Sequence, residues 1–234
     1  MIDSLISADN ELMLLLNGMH NDFFDTFMSI FSGRFTWIAM YVTLAYVIVA
    51  RYKARTAVVA LISVGLTILL ADQICASVIR PEIARLRPSN LDNPLSACIH
   101  IVNGYRGGPY GFPSCHAANS FALAFLSSLL VRRRAFTLLI FLWAFLNSYS
   151  RIYLGVHYPG DILVGAFIGC LCALTVYVPA KALFPRLGAQ LFPDRYSLCI
   201  SLRGRDCSLC LSPLAVMAIV AIITIIYIFL ASVA

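Results

Sequence analysis

Charge is what this 234-residue chain has least of. Lys and Arg number 17 and Asp and Glu 11, together 12% of the sequence, about half the share usual in a soluble domain. Hydrophobic residues make up 61%. That balance excludes a conventional water-soluble enzyme, a disordered chain and most nucleic-acid binders. No basic stretch precedes an apolar run at the beginning, and the first charges are the acidic Asp3 and Asp9, so a secretory signal peptide is not expected. Repeats, low-complexity tracts and a linker long enough to separate a pair of domains are also missing. Residues 1–234 therefore read as a single membrane-embedded domain.

What is present in quantity is apolar runs. A transmembrane helix needs roughly 20 mostly apolar residues, and six stretches qualify: Phe35–Ala50, extendable backwards through Phe23–Phe31; Thr56–Ile79; Pro113–Val131; Ala135–Asn147 continuing to Tyr153; Asp161–Phe184; and Pro213–Ala234. Residues 1–22 differ, because Ile2, Leu5, Ile6, Leu12 and Leu16 alternate with Asp3, Asp9, Glu11 and Asn17. Such a stretch suits an amphipathic helix lying in the membrane interface. The expected fold class is all-α: a polytopic bundle of six transmembrane helices with an N-terminal interfacial helix.

The basic residues orient that bundle. Arg51, Lys53, Arg55, Arg132, Arg133, Arg134, Lys181, Arg186, Arg195, Arg203 and Arg205 fall on one side, which the positive-inside rule assigns to the cytoplasm. Arg34, Arg80, Arg85, Arg87, Arg106 and Arg151 fall at the other. Arg80, Arg87 and Arg151 sit at helix mouths, where burial is expensive without an anionic partner.

Three clusters at this outer end carry chemistry. In the first, Arg80 and Arg87 lie seven residues apart, followed by Pro88; on a continuous helix both guanidinium groups share a face. The second, Pro113-Ser114-Cys115-His116, opens a helix whose free N–H groups suit a phosphate, with the Ser114 hydroxyl beside them. The third runs from Ser150-Arg151 to His157-Tyr158-Pro159-Gly160-Asp161. Three arginines can neutralise phosphate oxygens through bidentate bonds. One histidine can attack phosphorus while the other protonates the departing oxygen. Asp161, four residues beyond His157, is spaced to hold the second ring nitrogen. The sequence leaves open which nitrogen attacks. No metal or other cofactor is called for, since the arginines supply the positive charge.

Taken together, Arg80-x6-Arg87-Pro88, Pro113-Ser114-Cys115-His116 and Ser150-Arg151-x5-His157-x3-Asp161 resemble the three-part signature of the type-2 phosphatidic acid phosphatase superfamily. These membrane enzymes share their site with vanadium haloperoxidases. The family pattern reads Lys-x6-Arg-Pro, Pro-Ser-Gly-His and Ser-Arg-x5-His-x3-Asp, and nine of its eleven fixed positions match with spacing intact. The resemblance implies that His157 is the nucleophile forming a phosphohistidine, Asp161 its orienting partner, and His116 the general acid and later base. It also implies that Arg80, Arg87, Ser114, Ser150 and Arg151 bind the phosphate. Arg80 stands where the family has Lys, and Cys115 where it has Gly.

Other residues have plainer readings. His20 and His100 default to the interface and a loop. Arg85 is expected in solvent or among lipid headgroups, as is Arg106, which is also a candidate headgroup contact. The Gly-rich run around it reads as turns. Cys75, Cys170 and Cys172 behave as small hydrophobes. Cys207-x2-Cys210 is half a zinc site without a second pair.

The function implied is hydrolysis of a phosphomonoester or diphosphate on a membrane lipid, the tail staying in the bilayer and the site facing the periplasm of a bacterial inner membrane. Lipid A and undecaprenyl diphosphate head the substrates. Phosphatidylglycerol phosphate and phosphatidic acid follow. The stretch Asn103–Phe121 resembles the bacterial branch that includes lipid A phosphatases, which tips the balance there. A lipid or anion transporter using the same arginines is the alternative from another class. Against it stand the absence of an inverted repeat and the presence of two histidines with an acid partner.

Overall fold

The structure, a computed structural model, describes residues 2–189, 198–201 and 208–233. Its helices are α1 Ile2–Asn17, α2 Asp22–Phe31, α3 Ile38–Arg51, α4 Ala54–Gln73, a π-helical turn Ile74–Ile79 leading into α5 Arg80–Ile83, α6 Cys115–Val131, α7 Arg134–Tyr153, α8 Pro159–Leu183 and α9 Pro213–Val233. Four stretches are long and apolar enough to cross a bilayer: residues Ala54–Ile83 as one continuous 30-residue run, α7, α8 and α9. The apolar α3 and α6 are shorter, at 14 and 17 residues. The architecture is helical, as expected for a membrane bundle, with one small addition in the segment before α9. There Leu198–Ser201 (β1) and Ser208–Leu211 (β2) pair antiparallel. Cys207, Arg195, Arg203 and Arg205 lie outside the described residues.

Helix α6 is the hub, packed on α4, α7 and α8. Its contact with α8 is close because of two glycines. A Cβ at Gly165 would collide with the Ser114 carbonyl oxygen, and one at Gly169 with that of Ala118. Small residues spaced by four bring membrane helices to backbone contact. This pair sets the start of α6 against the start of α8, where the second and third clusters lie.

Two expectations about continuity need correction. The first apolar stretch is not one helix, since α2 ends at Phe31 and α3 starts at Ile38. Side chains close the break: Trp37 donates its indole N–H to the Phe31 carbonyl at 2.8 Å, and the Thr36 hydroxyl donates to that of Ile30 at 2.5 Å. Helices α2 and α3 nevertheless both pack on α9. Nor do residues 1–22 form one helix, because α1 stops at Asn17. Its Met13 and Asn17 are buried in the bundle while Leu5, Ile6, Leu12 and Leu15 are exposed. Asn17 holds the docked end by donating to the Ile152 and Tyr153 carbonyls and accepting the His100 N–H.

Candidate active site

Arg80 and Arg87 do not share a helical face. The helix stops at Ile83, with Ala84 in the left-handed region (φ 47°), and the chain turns into an extended segment where Leu86 bridges Tyr110. The two arginines still converge, one from a helix end and the other from the loop. Arg87 donates to the Val156 carbonyl at 2.8 Å and faces His157 Nε2 at 2.8 Å. Arg80 donates to the Pro113 carbonyl and to Cys115 Sγ, both at 2.9 Å. Arg151, in the last turn of α7, donates to the Ser32 hydroxyl at 2.5 Å. The Arg151 carbonyl in turn accepts the N–H groups of Val156 and His157, fixing the short loop that carries His157.

At the start of α8 the Asp161 carboxylate has a double role. Its Oδ2 accepts the Tyr158 N–H at 3.0 Å, as an acid at N3 of a helix does, and lies 3.3 Å from His157 Nδ1. The Asp161 carbonyl accepts the Ser114 N–H at 3.0 Å, tying the two helix starts together. An arginine carries only donors, so the Nε2 atom facing Arg87 must be the acceptor and the ring proton sits on Nδ1, toward Asp161. The lone pair on Nε2 therefore faces the arginines. Burial lowers the His157 pKa well below the usual histidine value, and Arg87, Arg151 and Arg80 lower it further, so the ring is neutral at neutral pH. Arg87 is itself lowered to about 10, first by burial and then by Arg80 and Arg151.

His116, in the first turn of α6, bonds with the Ser32 backbone and lies in the field of Arg151, His157 and Arg87. Among the described residues, the Nε groups of Arg80, Arg87 and Arg151 are all buried without a hydrogen-bond partner. Among the described residues none of these three side chains pairs with a carboxylate. Three buried donors and three positive charges thus act on one histidine, an arrangement able to accept an anion beside the opening turn of α6. A cavity of about 340 Å³ beside His116 lies between α3, α4, α6 and α7, its lining including Trp37, Leu44, Ile48, Leu61, Leu123 and Trp143.

Residues 57–184, more than half of the chain, match the PAP2 superfamily. The chain belongs to the PAP2 superfamily. It is 47% identical over 187 residues to the lipid A 4'-phosphatase of Bacteroides thetaiotaomicron, covering 80% of this chain and 83% of that one. To the lipid A 4'-phosphatase of Porphyromonas gingivalis it is 32% identical over 176 residues, 75% of this chain and 74% of that one. Its fold is similar to the crystal structure of a transmembrane PAP2-type phosphatidylglycerolphosphate phosphatase from Bacillus subtilis, with a TM-score of 0.57 at 21% identity over 77% of this chain and 88% of that one.

Six of the expected PAP2 site residues thus meet: His157, His116, Asp161, Arg80, Arg87 and Arg151. Ser114 is fully buried beside them as the N-cap of α6, its hydroxyl accepting the Ala117 N–H at 3.4 Å. Ser150 turns into its own helix, donating to the Asn147 carbonyl at 2.7 Å. Arg106 is pinned elsewhere, donating to the Ser89 carbonyl at 2.6 Å while its own carbonyl accepts the Ser89 hydroxyl. The structure also brings in residues that the sequence does not single out. Ser32 holds Arg151, and Tyr105 reaches over Arg151 from the glycine-rich loop, its ring 5.6 Å away. Gly111 packs so closely that a Cβ would lie 3.0 Å from Asp161 Oδ2 and 3.1 Å from Arg87 Cγ. That run is not a set of plain turns, because it closes one side of the site. Arg85, expected in solvent or among lipid headgroups, instead bonds Asp161. Within the motif it occupies an unspecified position, so only its charge and its closeness to Arg87 hinted at a role. His100 pairs with Asp25 at 2.8 Å and stacks on His20 at 3.7 Å.

Proposed function

We propose that this PAP2 enzyme removes a phosphate from lipid A at the periplasmic face of a bacterial inner membrane, through a phosphohistidine on His157. The observation that carries the chemistry is a buried histidine in the field of three arginines with unpartnered Nε groups, its Nε2 lone pair facing Arg87. The relatives at 47% and 32% identity support the choice of lipid. Nε2 of His157 attacks phosphorus, and Asp161 stabilises the developing imidazolium through Nδ1–H. Arg80, Arg87 and Arg151, with the α6 N–H groups that Ser114 caps, take the charge spreading over the phosphoryl oxygens. His116 gives its proton to the departing sugar oxygen. It then takes one from the water that splits the P–N bond, releasing inorganic phosphate and restoring both histidines. Ser150 supports the site by holding the last turn of α7. The arginines supply the electrostatic stabilisation, so activity persists in chelator.

In this reading α3, α4 with its continuation through α5, α6, α7, α8 and α9 make six spans. Helix α3 rises about 21 Å at 1.5 Å per residue, short of the ~30 Å hydrocarbon core, and the separate helix α2 makes up the depth beside α9. The exposed apolar face of α1 lies in the interface. The apolar cavity beside His116 receives a stretch of acyl chain, holding the phosphate-bearing sugar at the arginines.

The test is phosphate release by purified protein in detergent with chelator present, from lipid A, undecaprenyl diphosphate, phosphatidylglycerol phosphate and phosphatidic acid in turn. Lipid A is expected to be preferred, with His157→Ala silent. Preferential release from undecaprenyl diphosphate moves the substrate assignment, and a fully active His157→Ala removes the mechanism. Binding of lipid phosphates without release puts transport in its place. A cysteine tag between residues 89 and 97 is expected to label from outside the cell, and labelling only after permeabilisation reverses the orientation.

A further inference from the structure

We infer that Arg85 is a positioning residue for the reaction, holding Asp161 in register with His157 and tying both to Asp9 on the N-terminal helix. The inference rests on the roles proposed above for His157 and Asp161. Arg85 Nη1 lies 3.1 Å from Asp161 Oδ1, and Nη2 lies 2.7 Å from Asp9 Oδ2. Its guanidinium carbon stands 3.8 Å from the centre of the Tyr158 ring. The Arg85 carbonyl accepts the Gly111 N–H at 2.9 Å, so the residue is fixed at both ends. Asp9 Oδ1 accepts the Gly160 N–H at 2.7 Å and so secures the first turn of α8 independently.

The physical need is plain from Asp161. Its side chain is fully buried, and a buried carboxylate persists as an anion only when its oxygens are paired. Oδ2 is taken by the Tyr158 N–H and His157 Nδ1, whereas Oδ1 has Arg85. Without Arg85, Oδ1 loses its cation, and the carboxylate either acquires a proton or turns away from His157. Either change removes the acceptor that fixes the ring proton on Nδ1 and keeps Nε2 free. The charged and titratable groups that face Asp161 among the described residues include Arg85, Arg87 and His157, with Asp9 and the Tyr158 phenol behind Arg85. Arg85 touches none of the atoms that would meet phosphate, since both of its forks end on carboxylates. Because one fork ends on α1, the helix with the exposed apolar face helps to set the catalytic geometry.

The experiment uses the full chain in detergent with p-nitrophenyl phosphate, which needs no lipid recognition, and compares variants by kcat, KM and pH profile. Arg85→Ala is expected to lower kcat by about 10- to 100-fold, the range seen when a group behind a metal-bound histidine is removed, with KM little changed. Its acidic limb is expected to move, because the basicity of His157 depends on the charged form of Asp161. Arg85→Lys, which keeps the charge but reaches only one carboxylate, is expected to recover most of the rate. Asp9→Asn is expected to show a smaller loss of the same kind. In an Asp161→Asn background Arg85→Ala is expected to cost little further, because the path it acts through is already cut. A raised KM with unchanged kcat, or a full additional loss in the Asp161→Asn background, overturns the proposal. Parental kcat in Arg85→Ala with His157→Ala silent overturns it alone, while an active His157→Ala overturns the site reading beneath it.

Discussion

The two ends of the bundle use the same side chain in opposite ways. At one end Arg132, Arg133 and Arg134 are exposed where α6 gives way to α7. At the other, Arg87 and Arg151 are 8% and 6% exposed and are pinned to a carbonyl and a hydroxyl. The exposed group keeps its hydration and costs the fold little. The buried group has given up its water without gaining a carboxylate, a state that is unfavourable until an anion arrives. Positive charge by itself therefore says where the membrane lies. Burial alone does not mark the substrate's place, since Arg51 at the first end is also 8% exposed with an unpartnered Nε. What the outer end adds is three such arginines acting on one histidine.

Substitution at the two ends is the most forceful way to break this contrast. Arg87→Ala and Arg151→Ala each remove a preorganised donor from the phosphoryl oxygens. They are expected to lower kcat/KM by roughly 10²- to 10³-fold, as loss of an oxyanion donor does. Arg133→Ala and Arg134→Ala are expected to stay within about twofold, as exposed charges do. Steady-state phosphate release decides it. Equal losses at both ends would mean that burial does not separate site from topology.

How far the sequence announces this contrast differs between its regions. The membrane bundle is legible because apolar runs of spanning length have few other uses, and α7, α8 and α9 lie close to the expected bounds. The site is legible because His116, His157 and Asp161 occupy helix starts marked by Pro113 and Pro159. The break between α2 and α3 is not, because the residues that close it, Thr36 and Trp37, are ordinary members of an apolar stretch. Arg80 and Arg87 could be assigned to one site but not to one geometry, since the turn at Ala84 has no glycine to announce it. Arg85 and Ser32 were illegible for a different reason. Their partners are distant in the chain, Asp161 and Arg151, and only packing brings them together.

Next in size is the effect of filling the anion site. Phosphate bound among Arg80, Arg87 and Arg151 stabilises the folded state by about 2.7 kcal/mol at a hundred times its dissociation constant, read as a rise in thermal midpoint. Arg87→Ala is expected to abolish the rise, whereas Arg133→Ala retains it. The Arg87 guanidinium, lowered to about 10, is charged below that pH and loses its proton above it, so protection is expected to fade as pH climbs through about 10. His157 runs the other way. Its lowered pKa keeps the ring neutral below the ordinary histidine value, so protonation of His157 itself is expected to limit turnover only in solution more acidic than that value. A His157 ring seen by NMR to titrate at an ordinary histidine pKa would show that it is not buried among the arginines.

Gly111→Ala tests the loop side of the site at smaller scale. Its Cβ would press on Asp161 Oδ2 and Arg87 Cγ at about 3 Å, tighter than ordinary contact, so one of them must shift. The expected loss in kcat is about tenfold, in line with sub-ångström misplacement of a catalytic group. Gly108→Ala, where a Cβ meets nothing within 4 Å, is the matched control and is expected to be silent.

The smallest effect separates two residues that the family pattern treats as independent. Arg80 and Cys115 are the two departures from that pattern, and they touch: the guanidinium donates to the thiol sulfur at 2.9 Å. That contact and the one to the Pro113 carbonyl come from one nitrogen, Nη2, whose two hydrogens the planar guanidinium aims in fixed directions. A lysine at position 80 ends in a freely rotating ammonium without that fixed plane, and a glycine at position 115 leaves one of the two hydrogens without its sulfur partner. Each single substitution, Arg80→Lys or Cys115→Gly, is expected to lower kcat/KM by about threefold. The double variant is expected to return close to the parent, a coupling of about 1 kcal/mol between contacting residues. Additive losses would mean that the sulfur contact does not hold the guanidinium. Coupling would mean that the two departures are one structural change, in which the outer end of the bundle reaches a phosphate-binding cation by a different pair of atoms.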